Sequence, residues 1–286
     1  MNIETVHQCN CCLGNKTLHP LVSAIDLSKA NVMQRTIKFD FYTILLLEYG
    51  RKYYDYSNAT MIFLTPGQSI NINEGKAFPR KGWLLAFHPD LLCSTSLGRN
   101  IKNYSFFSYH LNEALHLSLR EKDKAIECMY NIEKELQHAI DCHSKTLISR
   151  YIELLLDYCS RFYDRQFITR NEVNKAILNK MDIALDDYIQ SGQLKNGVLP
   201  STKYCADILH LSPRYFSDLL KFETGKNLDE YFQLKRLEVA KEMLLGKGYT
   251  VRSVAEKLGY PSVQYFSNLF RKLVGVSPCE YRLSQN

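Results

Sequence analysis

The sequence predicts an α+β protein with a β-rich N-terminal part, a pair of helices and an all-α C-terminal part. Residues 18–109 contain short segments rich in β-branched and aromatic residues, whereas apolar residues recur at helical spacing from Glu121 onward. Within the helical C-terminal part, one segment is repeated along the chain. These patterns place domains at residues 1–120, 121–170 and 171–286.

Bulk properties set broad limits on function. With 286 residues and 45% hydrophobic content, the chain is long enough for two packed domains. The sequence has no apolar stretch long enough to span a membrane, and its N-terminus lacks the basic region followed by an apolar region that is typical of a signal peptide. Its nine cysteines suit reduced thiols, so a cytoplasmic location is predicted. The net charge of +6 is compatible with nucleic-acid binding without indicating it.

The β-rich part predicts about seven short strands without intervening helices. The segments are Leu21–Ile25, Thr36–Tyr49, Lys52–Tyr56, Thr60–Thr65, Gln68–Ile72, Trp83–His88 and Phe106–Tyr109. Such a pattern favours an antiparallel sandwich or a small barrel, which can hold one small ligand. Tyr42, Arg80, Trp83 and His88 are candidates for lining an effector pocket, although aromatic residues in a small barrel are more often core.

No catalytic or metal-binding motif is found. His88 and His110 lie outside any H-x-H pair, and the chain lacks a phosphate-binding glycine loop, an H-E-x-x-H and a G-x-S-x-G motif. A group of His and Cys residues near the N-terminus has spacings that fit a zinc site poorly; it comprises His7, Cys9, Cys11, Cys12 and His19. We therefore predict no enzyme activity, no metal and no cofactor.

Two apolar stripes after Glu121 predict an antiparallel helix pair. The first contains Ala125, Met129, Ile132, Leu136 and Ile140, and the second contains Ile148, Ile152, Leu155, Tyr158 and Cys159. This pair would cover a face of the sheet, or its second helix would also pack against a second copy in a homodimer. The polar segment Phe162–Glu172 is predicted to contain the domain boundary.

After a helix predicted at Val173–Ile189, two segments each predict two short helices separated by a tight turn. Thr202–Gly225 is repeated as Thr250–Gly275, with one residue of slippage at the turn. The N-terminal caps expected in these helix-turn-helix units are Ser212, Thr250 and Ser262, and Gly275 is expected to end the last helix.

A long helix is predicted between the two copies, at Leu228–Leu245, with Asn227 and Glu230 as an N-terminal capping pair. It would be about 27 Å long at 1.5 Å per residue. Two recognition helices held at a separation near one DNA turn of about 34 Å would read successive major-groove segments.

The two helix-turn-helix units, the linking EYFQLKRLEVAKEMLL and the closing GYPSVQYFSNLFRKLVGVSPCEYR resemble the DNA-binding domain of the AraC/XylS family of bacterial transcription regulators. The resemblance covers residues 175–282. The β-rich part is similar, more loosely, to that family's cupin-like effector and dimerisation domain. The resemblance implies promoter binding, and usually activation through contacts to RNA polymerase.

The resemblance also implies the residues that face DNA. In the first recognition helix they are Arg214, Ser217, Asp218 and Lys221. In the second they are Gln264, Tyr265, Ser267, Asn268 and Arg271. Amides pair with adenine, Arg pairs with guanine, and Ser or Lys holds phosphate, whereas Asp218 departs from the family pattern and would repel phosphate. Residues expected in the core are Phe216, Leu219, Leu220, Phe266, Leu269 and Phe270.

The leading hypothesis is therefore a transcription regulator with promoter DNA as its partner, and the resemblance implies an activator. The alternative is a small-molecule-binding or enzymatic cupin-like barrel with a helical assembly domain.

Overall fold

A computed structural model describes residues 2–29, 36–48, 59–71, 81–246 and 248–285. The chain divides into an N-terminal unit, Met1–Thr169, and a C-terminal unit, Arg170–Asn286. The N-terminal unit contains two sheets with helices and the C-terminal unit is helical, which confirms the predicted α+β class. Among the described helices, none combines the length and apolar character needed to cross a bilayer.

The N-terminal unit is built on two sheets. Its strands are β1 Asn2–Ile3, β2 Val22–Asp26, β3 Thr36–Phe39, β4 Tyr42–Glu48, β5 Ala59–Leu64, β6 Ser69–Asn71, β7 Gly82–Phe87 and β8 Leu115–Leu117. The larger sheet has the order β2-β7-β4-β5-β8 and is antiparallel throughout. The smaller sheet has the order β1-β3-β6, with β1 parallel to β3.

The central strand β4 is buried on both faces, which explains its continuous apolar run. Leu45 and Leu47 belong to a core cluster shared with residues of the smaller sheet. On the opposite face, Leu46 pairs in register with Met61, and the Met61 sulfur lies 3.8 Å from Cys159 Sγ. One face of the larger sheet therefore meets the smaller sheet, and the other meets a helix.

The helices of this unit are α1 Val6–Cys12, α2 Ser96–Asn100, α3 Leu119–Leu136 and α4 Ser144–Thr169. The predicted helix pair is present as α3 and α4, and most of the two predicted stripes is buried. Between the two helices, the Arg165 guanidinium donates to both carboxylate oxygens of Glu121 at 2.9 and 2.7 Å.

Several local predictions are wrong for identifiable reasons. Phe106–Tyr109 is not a strand, because Ser105–Ser108 forms a 3-10 helix whose Phe106 and Phe107 are buried among aromatic rings. The segment Thr36–Tyr49 is split between β3 and β4. Ile140 follows α3 and is 58% exposed, so it lies outside the buried stripe.

Two polar segments for which the sequence predicted no secondary structure are helical. HQCNCC lies in α1, which Thr5 and Gln8 close with a reciprocal capping box. The polar segment Phe162–Glu172 includes the last turns of α4, where Phe162, Tyr163 and Phe167 are buried, and continues past the end of that helix at Thr169. The strand predicted at Lys52–Tyr56 lies outside the described residues.

The C-terminal unit consists of α5 Asn171–Gln190, α6 Thr202–Leu209, α7 Pro213–Thr224, α8 Leu228–Leu245, α9 Val251–Lys257, α10 Val263–Val274 and α11 Pro278–Gln285. The predicted bounds of α8 and its Asn227–Glu230 capping box are confirmed. One core cluster includes residues from α5 to α10, with Tyr281 of α11 packed against it. Helix α11 was not predicted; Ser277 and Glu280 cap its start, and Arg282 donates to the Leu244 carbonyl at 2.9 Å.

Candidate nucleic-acid interface

The helix pairs α6/α7 and α9/α10 have matching backbones at their turns. α6 ends at His210 with a positive φ of 55°, and α9 is followed by Gly259 with a φ of 70°. The next residue in each pair, Leu211 or Tyr260, donates its backbone N–H across the turn at 2.9 Å, to Ala206 or Ala255 respectively. The repeat seen in the sequence is therefore a repeat of backbone geometry.

The caps also match. Ser201 and Thr250 cap the first helices of the two pairs, with donor to acceptor distances of 3.1 and 3.0 Å. Ser212 and Ser262 cap the second helices at 3.2 and 3.0 Å, as predicted. The structure corrects one detail of the repeat, because Ser201 and not Thr202 is equivalent to Thr250.

The second helices end alike, and their buried faces agree with the prediction. Gly225 and Gly275 end α7 and α10 in the left-handed conformation that glycine tolerates. Of the six residues expected in the core, all are buried except Leu269, which is half-buried against the same cluster; they are Phe216, Leu219, Leu220, Phe266, Leu269 and Phe270.

The polar face of α7 carries the four predicted residues, two of which pair with each other. Arg214 Nε lies 3.7 Å from Asp218 Oδ2, and their side chains are 51% and 26% exposed. Ser217 donates its hydroxyl to the Pro213 carbonyl at 2.9 Å, and Lys221 is exposed. The acidic Asp218 thus partly neutralises the arginine next to it.

The polar face of α10 is more open. Gln264, Asn268 and Arg271 are exposed and recur at helical spacing, so they line one face. Tyr265 is 50% exposed, and Ser267 is half-buried. In the described part of the chain, the Gln264 and Asn268 amides have no hydrogen-bond partner, so their donors and acceptors are available to a ligand.

The two faces are equivalent position by position, but they differ in charge. Where α7 has Arg214 and Asp218, α10 has Gln264 and Asn268. Side-chain amides donate and accept in the pattern that an adenine edge presents, and a carboxylate accepts only. The α10 face is therefore the better suited of the two to base contacts beside phosphates.

The corrected repeat also shows two cations that the sequence analysis missed. Lys203 of α6 and Arg252 of α9 occupy equivalent positions in the first turn of their helices, and both are exposed. Arg252 is paired with Glu256 at 2.8 Å. Aligning Ser201 with Thr250 in the sequence would have revealed this equivalence.

In the N-terminal unit, Tyr42 and His88 of the proposed effector pocket lie at one end of β7, and Trp83 lies at the other. Tyr42 stacks on Phe87 at 5.1 Å between ring centroids, and burial raises the pKa of its hydroxyl. Trp83 is paired with Leu46 at the other end of β7. It lies about 13 Å from Phe87 along the strand, at 3.3 Å per residue. His88 lies at the Tyr42 end of β7, where its Nδ1 accepts from the Asp90 backbone at 3.2 Å, and Arg80 lies outside the described residues.

An open cleft of about 490 Å³ lies elsewhere in this unit. It is lined by Leu64, Gln68, Ser69, Tyr109, His110, Leu111 and Asn112. Its lining combines an aromatic ring and two leucines with neutral polar groups and one histidine. The sequence analysis assigned none of these residues to a pocket.

The N-terminal His and Cys residues form hydrogen bonds within the protein. His7 Nδ1 lies 2.9 Å from Thr17 Oγ1, and its Nε2 lies 3.5 Å from Cys11 Sγ. Cys9 is buried, which raises the pKa of its thiol to about 12, and burial lowers the pKa of His19. In the ranges that the structure describes, no three His, Cys, Asp or Glu side chains are grouped to hold a metal ion.

The C-terminal unit is similar to helix-turn-helix domains of known transcription regulators. Residues 205–284 match a family model described as a helix-turn-helix domain. The chain is 34% identical over 113 residues to the transcriptional regulatory protein YesN of Bacillus subtilis (strain 168), covering 38% of this chain and 29% of YesN. It is 33% identical over 81 residues to the regulatory protein PocR of Salmonella typhimurium, covering 28% of this chain and 27% of PocR.

Among solved structures, the chain is similar to the C-terminal domain of AraT, a response regulator from Geobacillus stearothermophilus. The identity is 32% and the TM-score 0.30, over 36% of this chain and 84% of that domain. The match covers less than a third of the length of YesN and of PocR. The matched helix-turn-helix domain and these transcriptional regulators support the resemblance to the AraC/XylS family that the sequence motifs predicted.

Proposed function

We propose that this protein is a sequence-specific DNA-binding transcription regulator whose two helix-turn-helix units read adjacent major-groove segments with α7 and α10. The observation that supports this most directly is the matched construction of the two helix pairs, with exposed polar residues at equivalent positions. A repeat of caps, turns and polar faces is expected where two helices serve the same kind of ligand surface.

In this proposal, Gln264, Asn268 and Arg271 contact base edges, and Tyr265 and Ser267 contact the adjoining backbone. On α7, Arg214 and Asp218 face bases, and Ser217 and Lys221 hold phosphates. Lys203 and Arg252 add phosphate contacts, because a cation in the first turn of each leading helix lies beside backbone N–H groups that favour anions.

The test is binding of the full chain to sites that it selects from random duplex DNA. Wild type should lose affinity steeply between 50 and 200 mM salt, by about 10³-fold or more if six phosphates are neutralised. Gln264→Ala with Asn268→Ala should abolish preference for the selected site while leaving the thermal midpoint nearly unchanged. A control double variant, Asn179→Ala with Gln190→Ala, removes two exposed amides from α5 and should bind like wild type.

Two results would count against the proposal. Undiminished affinity at high salt would exclude phosphate-driven binding. Equal loss of preference in both double variants would show that the α10 amides do not read DNA.

We also propose a homodimer through α4. Leu147 and Leu154 are 42% and 46% exposed, and they share a face with the half-buried Tyr151 and Tyr158. A heptad-spaced apolar stripe of this kind suits packing against a second copy. Leu154→Glu should lower the molecular mass measured by analytical ultracentrifugation to that of a monomer. Glu153→Gln, at the preceding position, should not.

The N-terminal unit is proposed to be a cupin-like domain that controls DNA binding through a small effector, with activation through RNA polymerase. The cleft that includes Gln68 and Asn112 supports binding of a small effector, because it offers an aromatic wall beside neutral hydrogen-bonding groups. Binding of a screened compound should raise the thermal midpoint of wild type but not of Tyr109→Ala. This regulatory role, and not catalysis, is the one we propose for the unit.

A further inference from the structure

The turns of the two helix pairs are alike in backbone but differ in their surroundings. His210, in the turn of the first pair, is exposed. A Cβ atom added to Gly259, in the second turn, would lie 2.3 Å from the carbonyl oxygen of Leu194. The second turn is therefore packed directly against the protein backbone, whereas the first faces solvent.

The backbone that Gly259 contacts leads into the first helix pair. Leu194 belongs to a 3-10 helix, Gln193–Asn196, which lies between α5 and α6. Its side chain is fully buried in the core of the C-terminal unit. Because Leu194 is anchored in this way, the contact ties the second turn to the entrance of the first helix pair.

Arg236 of α8 holds the same turn from another side. It is only 8% exposed, and its Nη1 donates to the Leu258 carbonyl at 3.1 Å. Its guanidinium carbon lies 4.4 Å from the ring centroid of Tyr260 and 5.5 Å from that of Phe232. One side chain thus contacts both neighbours of Gly259.

The chemistry of Arg236 indicates a role in geometry. The Leu258 carbonyl lies at the C-terminal end of α9, where carbonyls lack helical partners and the helix dipole favours a cation. In the described part of the unit, no carboxylate pairs with Arg236, and its buried Nε has no hydrogen-bond partner. An apolar side chain would avoid this desolvation cost, so the guanidinium is better explained by the carbonyl and the ring that it holds.

The covalent connections on the two sides of α8 constrain the neighbouring helices to different degrees. α7 is joined to α8 through a short connection capped by Asn227. The connection from α8 to α9 includes Gly246 and Gly248, which restrict the backbone little. The covalent link alone therefore fixes α7 relative to α8 better than it fixes α9 and α10.

We propose that Arg236 is a positioning residue that sets the spacing between α7 and α10, and thereby the spacing of DNA segments that the protein accepts. This rests on the proposed DNA-reading function. A rigid pair of reading helices rejects a site whose two segments are shifted along and around the duplex, whereas a loosely held pair tolerates the shift.

The experiment compares binding to a selected DNA site with binding to the same site carrying two extra base pairs. The insertion lies between the two segments that α7 and α10 contact and adds about 70° of twist. Full-length wild type should bind the altered site at least about tenfold more weakly. Arg236→Met should reduce this ratio to under about threefold. Lys235→Met should keep the wild-type ratio, because Lys235 pairs with Asp182 and Asp186 and belongs to the α5 contact.

The outcomes separate the two proposals. Failure of wild type to select any DNA would refute the DNA-reading function and this inference with it. Selection by wild type, combined with an unchanged tenfold ratio in Arg236→Met, would overturn the inference alone, as would an equal change in Lys235→Met. If Arg236→Met does not fold, Arg236→Lys is measured instead, since it keeps the charge and loses the planar guanidinium.

Discussion

Replacing Gly259 by alanine tests the packing of the second turn, and the chain provides a matched control in Gly225. Both glycines have a φ of +70°, so alanine meets the same backbone strain of about 1–2 kcal/mol at each position. A Cβ at Gly225 meets nothing within 4 Å, whereas at Gly259 it meets Leu194 O at 2.3 Å and Leu194 C at 2.9 Å. The two variants therefore differ in the steric contact alone.

The expected magnitudes follow from this difference. Gly225→Ala should lower the free energy of unfolding by about 1 kcal/mol, because the restricted unfolded chain offsets part of the strain. Gly259→Ala should lower it by about 2–4 kcal/mol, because the buried Leu194 backbone must shift and overpacking typically costs about 1–3 kcal/mol. Urea denaturation followed by far-UV circular dichroism measures both. Equal losses would refute the packing of this turn against Leu194.

Three further predictions concern other residues of the C-terminal unit. His210→Gly should stabilise the protein by up to about 1 kcal/mol, because it relieves a non-glycine residue at a φ of 55°; an unchanged or lower thermal midpoint would contradict this. Asp218→Asn should raise DNA affinity about threefold to tenfold, because it removes a negative charge and releases Arg214. The gain should shrink with added salt in fluorescence anisotropy titrations, and a gain independent of salt would argue against an electrostatic cause. Burial raises the pKa of the Cys205 thiol from 9.0 to about 11, so the unfolded chain loses this proton first. The contribution of this thiol to the stability of the folded protein is complete below pH 9 and is lost as the pH rises towards 11. The thermal midpoint of Cys205→Ala should therefore fall less steeply at alkaline pH than that of wild type. A fall parallel to that of wild type would disprove the assignment.

Local sequence signals were most informative in the C-terminal unit. Short-range rules place the caps at Ser212, Thr250 and Ser262, because a side-chain oxygen and a backbone N–H three residues away decide them. The prediction was weaker in the N-terminal unit. Apolar residues such as Phe106 and Phe107 suit a strand or a buried 3-10 turn equally well, and only their aromatic neighbours decide between the two.

By itself, the sequence determined the α+β class, the resemblance of the C-terminal part to AraC/XylS regulators and the polar faces of α7 and α10, because periodicity and capping are local along the chain. Only the tertiary structure decided that Arg236 is buried over Tyr260 and that Gly259 lies against Leu194. These contacts join residues far apart in the sequence, and a helical pattern alone does not show which arginine turns inward. The same physical reason separates the Gly259 turn from the His210 turn: their backbones are alike, but only one of them meets another part of the fold.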